Sequence, residues 1–359
     1  MIPTIDTPDG LHALTAALAG TAVLALDTEF LRERTYRPQL CLVQLATGAT
    51  AACLDPLALN DLQPLTERLS DPAQTKVLHA ASQDLEVLYL RLGILPAPLF
   101  DTQIAAALCG LGEQIGYAAL IERLFGVQLE KAHSRTDWSR RPLSHEQLRY
   151  ALEDVHYLPE AHAILESRLM ALGRLEWLRE DCEAQLDPAR WSVDPLEAWR
   201  RIKGWQRLPP AVFPRLRQLA AWRERRAQAL DRPRRWVMDD DTLFQLASRP
   251  PVNIHALLHG GLLPPGLRGA AEDIMAALEA ARTDELPPPP AWTPMRGEER
   301  ARFERLTSAI DRLGATLDLP AGLLLSRAEL ERLARGQTTL EALHGWRGEL
   351  LREPLGNAL

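Results

Sequence analysis

At 359 residues, with 46% hydrophobic and 25% charged residues, the chain is long enough for two or three domains and has the composition of a soluble globular protein. The four cysteines, Cys41, Cys53, Cys109 and Cys182, are scattered with no Cys-x-x-Cys pair, so they read as reduced core thiols of a cytoplasmic protein rather than zinc ligands. No span of about 20 apolar residues is present to cross a membrane, and the formal net charge is −7.

Taken in chain order, residues 11–26 are apolar-rich but divided by Gly20 and interrupted by His12, and the residues before them carry two Asp and no Lys or Arg. That is the reverse of a signal peptide's basic start. The stretch reads as a helix over 10–19 and a strand over 23–30. The strand ends in Asp27-Thr28-Glu29-Phe30. Alternation puts Asp27 and Glu29 on one face, roughly 7 Å apart at Cα. Two like charges there are costly unless a cation neutralises them, and oxygen-only ligands favour a hard ion such as Mg²⁺ or Mn²⁺. Strands over 40–46 and 50–54 follow, with Thr47-Gly48-Ala49 as the hairpin turn between them.

A short strand over 77–79 leads to His79-Ala80-Ala81-Ser82-Gln83-Asp84. Ser82 is the predicted N-cap of a helix over 82–93. Asp84 falls in its first turn, the ordinary place for a helix acid. Helices are predicted near 60–70, 102–110, 117–125 and 144–170. The last starts with a capping box, Ser144-His145-Glu146-Gln147, and Pro159 is expected to kink it. Tyr150 and Asp154, four residues apart, share a face of that helix. A phenol one turn from a carboxylate can hold a water beside a metal, although Tyr–Asp surface pairs are also common.

These residues, in this order, resemble the DEDD superfamily of 3′→5′ exonucleases, in the subgroup with Tyr in the third motif, and within it the ribonuclease D family. Asp27-Thr28-Glu29-Phe30 is similar to the first exonuclease motif, the stretch from His79 to Leu88 to the second, and Tyr150-x-x-x-Asp154 to the third. Lys131 and Arg135-Thr136-Asp137-Trp138-Ser139-Arg140-Arg141-Pro142-Leu143 also match, whereas Ala132 stands where the family often has Ser. The resemblance implies an α/β ribonuclease-H-like exonuclease domain, a mixed sheet with flanking helices, over residues 1–195. It implies two divalent metal ions, Mg²⁺ or Mn²⁺: Asp27, Glu29 and Asp154 on one ion, Asp27 bridging to a second near Asp84, and Tyr150 orienting the attacking water. Two-metal phosphodiester hydrolysis needs such a carboxylate set. Glycoside hydrolysis needs only two acids and explains neither Asp84 nor Tyr150.

Strand signals fade after about residue 195. A helix is predicted over 215–230. The segment Arg234-Arg235-Trp236-Val237-Met238-Asp239-Asp240-Asp241-Thr242-Leu243-Phe244 then resembles an HRDC domain, a helical module shared with RecQ-type helicases. An HRDC-like domain is therefore expected over 205–285, a stiff Pro-rich linker over 286–291, and a second, diverged all-α HRDC-like module over 292–359. That last module would hold helices over 302–313, 326–335 and 339–351. Charge divides along the same lines: −11 over residues 1–195, +6 over 196–283 and −2 over the remainder. An acidic catalytic part joined to a basic segment suggests that binding and cutting are partly separated. The run Arg223, Arg225, Arg226, Arg232, Arg234 and Arg235, with Trp222 and Trp236, is a candidate for gripping phosphates and stacking bases, although charge runs are usually solvated faces and Trp usually core. Thr28, Phe30 and His79 are further candidate substrate contacts.

The function expected from the resemblance is 3′→5′ exoribonuclease activity on RNA with a single-stranded 3′ end, releasing 5′-mononucleotides, in maturation of transfer-RNA precursors and other structured RNAs. A cytoplasmic monomer without membrane partners is expected. The alternatives are a DNA 3′→5′ exonuclease of the proofreading or RecQ-associated type, and a non-catalytic RNA-binding scaffold.

Overall fold

The computed structural model describes residues 4–129, 136–285 and 293–359. Lys131, Ala132, Arg135 and the linker expected over 286–291 lie outside the described residues. The chain divides into two compact units, one of Met1–Leu31, Leu40–Pro188 and Met295–Leu359, the other of Arg32–Gln39 and Ala189–Pro294.

The first unit is built on a six-stranded sheet: β1 (Thr4–Ile5), β2 (Val23–Leu31), β3 (Gln39–Ala46), β4 (Ala51–Leu54), β5 (Thr75–Leu78) and β6 (Leu99–Asp101), in the order β1-β4-β3-β2-β5-β6. β3 and β4 are antiparallel, whereas β1/β4, β2/β5 and β5/β6 are parallel. The β3–β4 turn closes as its sequence predicts. The Thr47 N–H donates to Thr50 O (2.7 Å), and the Thr47 hydroxyl accepts from the N–H groups of Ala49 and Thr50. β2 carries a buried run, Leu24, Ala25 and Leu26, each wholly shielded from solvent. A strand covered on both faces reads as continuous apolar sequence, and its polar residues then appear where it leaves the core.

Helices α1 (Pro8–Leu18), α2 (Gln63–Leu69), α3 (Ser82–Leu92), α4 (Thr102–Leu108), α5 (Tyr117–Phe125), α6 (His145–His156), α7 (Leu158–Leu172) and α8 (Leu175–Glu183) flank the sheet. Two expectations are corrected here. Ser82 is the first residue of α3, and the N-cap is Ala81, which has no side-chain cap. The polar partner comes instead from across the sheet: the Asp101 carboxylate accepts the N–H groups of Ala80 (3.0 Å) and Ala81 (2.9 Å). Pro159 marks a break rather than a kink, because α6 ends at His156 and Pro159 lies in the first turn of α7. A missing N–H is harmless there, since first-turn N–H groups have no intrahelical acceptor. The capping box at Ser144 is present as expected.

In the second unit, α9 (Phe213–Leu230), α10 (Arg234–Val237), α11 (Asp240–Ser248), α12 (Ile254–His259) and α13 (Ala271–Ala280) surround a core that includes Trp199, Phe213, Leu216, Leu219, Leu243, Leu246 and Ile274. Asp239 caps α11 by accepting the Thr242 N–H (2.6 Å). The expected stacking residue Trp222 is buried in this core, whereas Trp236 is 63% exposed.

The C-terminal helices α14 (Gly297–Leu317), α15 (Ala321–Leu324), α16 (Arg327–Ala334) and α17 (Gly345–Gly356) belong to the unit that holds the sheet. Buried Arg174 donates to Leu108 O at the end of α4 (2.7 Å) and to Leu317 O at the end of α14 (2.6 Å), so one cation satisfies two helix C-termini. The Trp346 ring stacks on Trp177 of α8 (4.4 Å between centroids, 8° between planes). The Asp181 carboxylate accepts from the Trp346 indole and from both terminal nitrogens of Arg347. Trp346→Ala is expected to destabilise this unit by about 3–5 kcal/mol, since it empties a buried ring site and removes a donor from Asp181. Urea unfolding followed by fluorescence measures it; a loss below about 1 kcal/mol would mean that α17 adds little to the unit.

None of the helices among the described residues is long and apolar enough to cross a membrane. Cys41, Cys53 and Cys182 are buried free thiols and Cys109 is a half-buried one.

Candidate active site

Carboxylate oxygens of Asp27, Glu29 and Asp154 lie within 4.8 Å of one another, although Asp154 is 125 residues beyond Glu29 in the chain. β2 presents the first two through strand alternation, and α6 brings the third by packing against β2 and β4. Asp84, in the first turn of α3, stands beside this cluster and accepts the Thr28 hydroxyl at 2.5 Å.

The cluster's electrostatics follow from burial and crowding. Burial pushes the Asp27 carboxyl well above the ordinary carboxylate range, and the charges of Asp84, Asp154 and Glu29 push it further. Burial raises Glu29 to about 8, with Asp154 and Asp84 adding to the rise. Asp154 rises to about 7 through burial, Glu153 and Asp84. Asp84 reaches about 6, because the Thr28 hydrogen bond offsets part of the effect of burial. Four acids resisting ionisation together form a site that a multivalent cation would stabilise, and the all-oxygen donor set suits a hard divalent ion. The residues therefore fit the metal that their pattern implies.

Tyr150 lies one helical turn before Asp154, half-buried, with its ring stacked on Trp138 (6.4 Å between centroids, 25° between planes). Burial raises its phenol to about 12, and the neighbouring acids, Asp154 first, contribute. The group is therefore a neutral O–H at physiological pH. Trp138 is itself held by the segment ahead of α6: Arg141 donates to Trp138 O (2.8 Å), to Cys41 O on β3 (2.7 Å) and to both oxygens of Asp55 (2.5 and 2.8 Å). Arg141 thereby ties the Trp138 backbone to β3 and Asp55.

The remaining candidates divide by their partners. Thr28 is committed to Asp84, and the His79 ring sits between the Thr102 hydroxyl (2.9 Å) and the Ile115 carbonyl (3.0 Å). Burial lowers the His79 pKa, leaving a neutral ring with both nitrogens engaged inside the fold. Phe30 is half-buried on β2. In the helical unit, Arg223 is buried and donates to Met238 O (2.9 Å) and Asp240 (2.7 Å), and Arg234 is paired with buried Glu224. These two arginines hold α9, α10 and α11 together instead of facing solvent. Arg226 is half-buried, 3.5 Å from Asp273. Arg235 is exposed, as are Arg225 and Arg232.

Two contributors escaped the sequence reading. Asp101 braces the Ala80–Ala81 turn that delivers Asp84. Its only sequence signal is an Asp just before the apolar helix Thr102–Leu108, where it also caps through Gln103 N. Tyr117, from α5, donates its hydroxyl to Glu153 O (2.9 Å) and lies 5.7 Å from the His79 ring, and no motif marks it.

Comparison with known proteins identifies the family. A family model described as 3′-5′ exonuclease matches residues 2–170, and an HRDC domain model matches residues 213–278. The chain is 42% identical to ribonuclease D of Xanthomonas oryzae pv. oryzae, over 93% of this chain and 92% of that one. It is 38% identical to ribonuclease D of Escherichia coli, over 99% and 97%. It belongs to the ribonuclease D family. The crystal structure of Escherichia coli RNase D, described as an exoribonuclease involved in structured RNA processing, superposes with a TM-score of 0.87 at 37% identity, covering 100% of this chain and 98% of that one. The activity is thus that of a 3′→5′ exoribonuclease, a hydrolase acting on RNA, and its exonuclease fold is divalent-metal dependent.

Proposed function

We propose that the chain trims single-stranded 3′ ends of structured RNAs, transfer-RNA precursors among them, in the cytoplasm, releasing 5′-mononucleotides with two Mg²⁺ or Mn²⁺ ions. The observation that carries this reading is the convergence of Asp27, Glu29 and Asp154 beside Asp84 and Tyr150. Asp27, Glu29 and Asp154 would hold one ion, and Asp27 with Asp84 the other. Such ions supply a nucleophile at neutral pH and charge compensation on the leaving oxygen. The neutral Tyr150 hydroxyl orients the attacking water, and stacking on Trp138 keeps it aimed. Thr28 fixes the rotamer of Asp84. The RNA role is supported by the Escherichia coli relative's described part in structured RNA processing.

Among the cations of the basic segment, Arg225, Arg232 and Arg235, all exposed and the last 3.7 Å from Asp240, together with exposed Trp236, are the groups suited to phosphates and an unstacked base. Replacing the three arginines with Ala in the full-length protein is expected to weaken binding of a 3′-tailed transfer RNA. It should also reduce the slope of log K against log salt by about 2, because single-stranded contacts contribute about 0.7 each. Binding measured in Ca²⁺ across a salt series, with RNA and DNA tails matched in sequence, tests both parts. An unchanged slope removes these arginines from the interface, and equal turnover of the DNA tail in Mg²⁺ favours the DNA exonuclease reading.

A further inference from the structure

A cavity of about 480 Å³ opens at the β6 edge of the sheet, beside α7 and α8, and lies wholly within the unit that holds the sheet. It shares no residue with the acidic cluster. Its size falls within the roughly 300–1,000 Å³ typical of small-molecule sites. The walls are apolar, formed by Pro72, Pro98, Leu99, Phe100, Leu175 and Leu178.

Two polar side chains of α7 line the same space one helical turn apart, His162 and Glu166. His162 is only 7% exposed, with its ring edge-on against Phe100 (4.4 Å between centroids, 63° between planes). Among the described residues it has no hydrogen-bond partner, yet its nitrogens are not sealed in, and the cavity is the open space that this buried ring borders. Burial lowers its pKa against the pull of Glu166, so the ring is neutral, with one nitrogen able to accept and the other to donate. A buried polar group in that position depends on whatever fills the cavity for its partner. The charges at the mouth are mainly negative. Half-buried Glu166 and exposed Glu183 both line the cavity, and neither is ion-paired with a described cation. Arg179, the cation that lines it, is paired with Glu176. Such a mouth attracts an ammonium and repels an anion.

We propose that this cavity is a binding site for an amphipathic amine, a small molecule with a fused apolar ring system and a protonated nitrogen. The rings lie against the apolar walls, and the ammonium donates to His162 and to the Glu166 carboxylate. The site is separate from the exonuclease centre and does not depend on how that centre is read.

The test uses three compounds that share an indole ring and differ in charge: tryptamine, a cation; tryptophol, neutral; and indole-3-acetate, an anion. Each is titrated by calorimetry into the full-length protein at pH 7, in excess Mn²⁺ so that the acidic cluster does not compete for the ammonium. Tryptamine is expected to bind roughly 10-fold more tightly than tryptophol, the effect of a charged hydrogen bond, and indole-3-acetate to bind most weakly. Glu166→Gln should bring tryptamine down to the affinity of tryptophol and leave tryptophol unchanged. His162→Phe, which keeps a ring against Phe100 and removes both nitrogens, should weaken tryptamine and tryptophol alike. Equal binding of the three compounds, or no binding of tryptamine up to millimolar concentration, overturns the proposal. Unaltered tryptamine affinity in either folded variant overturns it too. Should a variant fail to fold, the charge series on wild type still decides the class of ligand.

Discussion

Asp27→Asn is expected to abolish RNA cleavage, with turnover falling on the order of 10³-fold or more, while making the metal-free protein more stable. The first effect follows from removing the carboxylate whose ionisation Asp84, Asp154 and Glu29 all oppose, in a site whose chemistry depends on charge compensation. The second follows from linkage. Glu29, Asp154 and Asp84 have folded pKa values of about 8, 7 and 6, above their ordinary values of 4.5, 3.8 and 3.8. Between about pH 4 and 8 the folded protein therefore holds protons that the unfolded chain has released, and its stability falls as pH rises through that window. In chelator, the wild-type melting temperature should drop between pH 5 and pH 8. The drop should be smaller in Asp27→Asn and should be largely reversed in wild type by Mn²⁺. Melting curves in EDTA and in Mn²⁺ check this directly. An Asp27→Asn protein that kept near-normal turnover in Mg²⁺ would remove Asp27 from the metal site. A flat pH profile in EDTA would show that the acids do not share the repulsion ascribed to them.

Tyr150→Phe should leave metal binding and RNA affinity close to wild type while lowering kcat roughly 10²–10⁴-fold, the range associated with a positioned proton-handling group. The ring packs on Trp138 with or without its hydroxyl, so the fold should not register the change. The phenol is held near pKa 12, so it donates a hydrogen bond and does not act as a base near neutrality. The basic limb of the pH–rate profile should therefore be unchanged by the variant below pH 9. A kcat equal to wild type would assign Tyr150 to packing, and a loss confined to KM would make it a substrate contact.

The elements that carry the chemistry were legible because each has a local signature. β2 ends a run of buried aliphatics with alternating acids, and α6 opens with a capping box and carries Tyr150 and Asp154 one turn apart. β1 and β6 were not legible, since two and three residues are too few to display a period of two. The break at Pro159 looks like a kink in the sequence because apolar spacing continues across it into α7. Apolar periodicity records which face is buried and does not record where the backbone hydrogen bonds are interrupted.

Among the site residues, long-range pairing defeated the sequence reading. Nothing near Arg223 or Arg234 announces that buried partners await them, so a basic run looked like one solvent-facing patch, whereas only part of it faces outward. The same limit hid Asp101, whose acceptors for the Ala80–Ala81 turn come from a strand 20 residues away. The C-terminal helices show it on a larger scale. Their sequence suggested a separate module behind a linker, and their buried Trp346 and paired Arg347 instead engage α8.

The central claim is metal-dependent exonucleolytic trimming from the 3′ end. A time course on a transfer RNA bearing a single-stranded 3′ tail and a 5′ label, run in Mg²⁺, in Mn²⁺ and in EDTA, with the released products resolved separately, tests it most directly. The account predicts a ladder shortening one nucleotide at a time from the 3′ end, 5′-mononucleotides as the sole small product, and no shortening in EDTA. Internal fragments, shortening from the 5′ end, or undiminished cleavage in EDTA would contradict it.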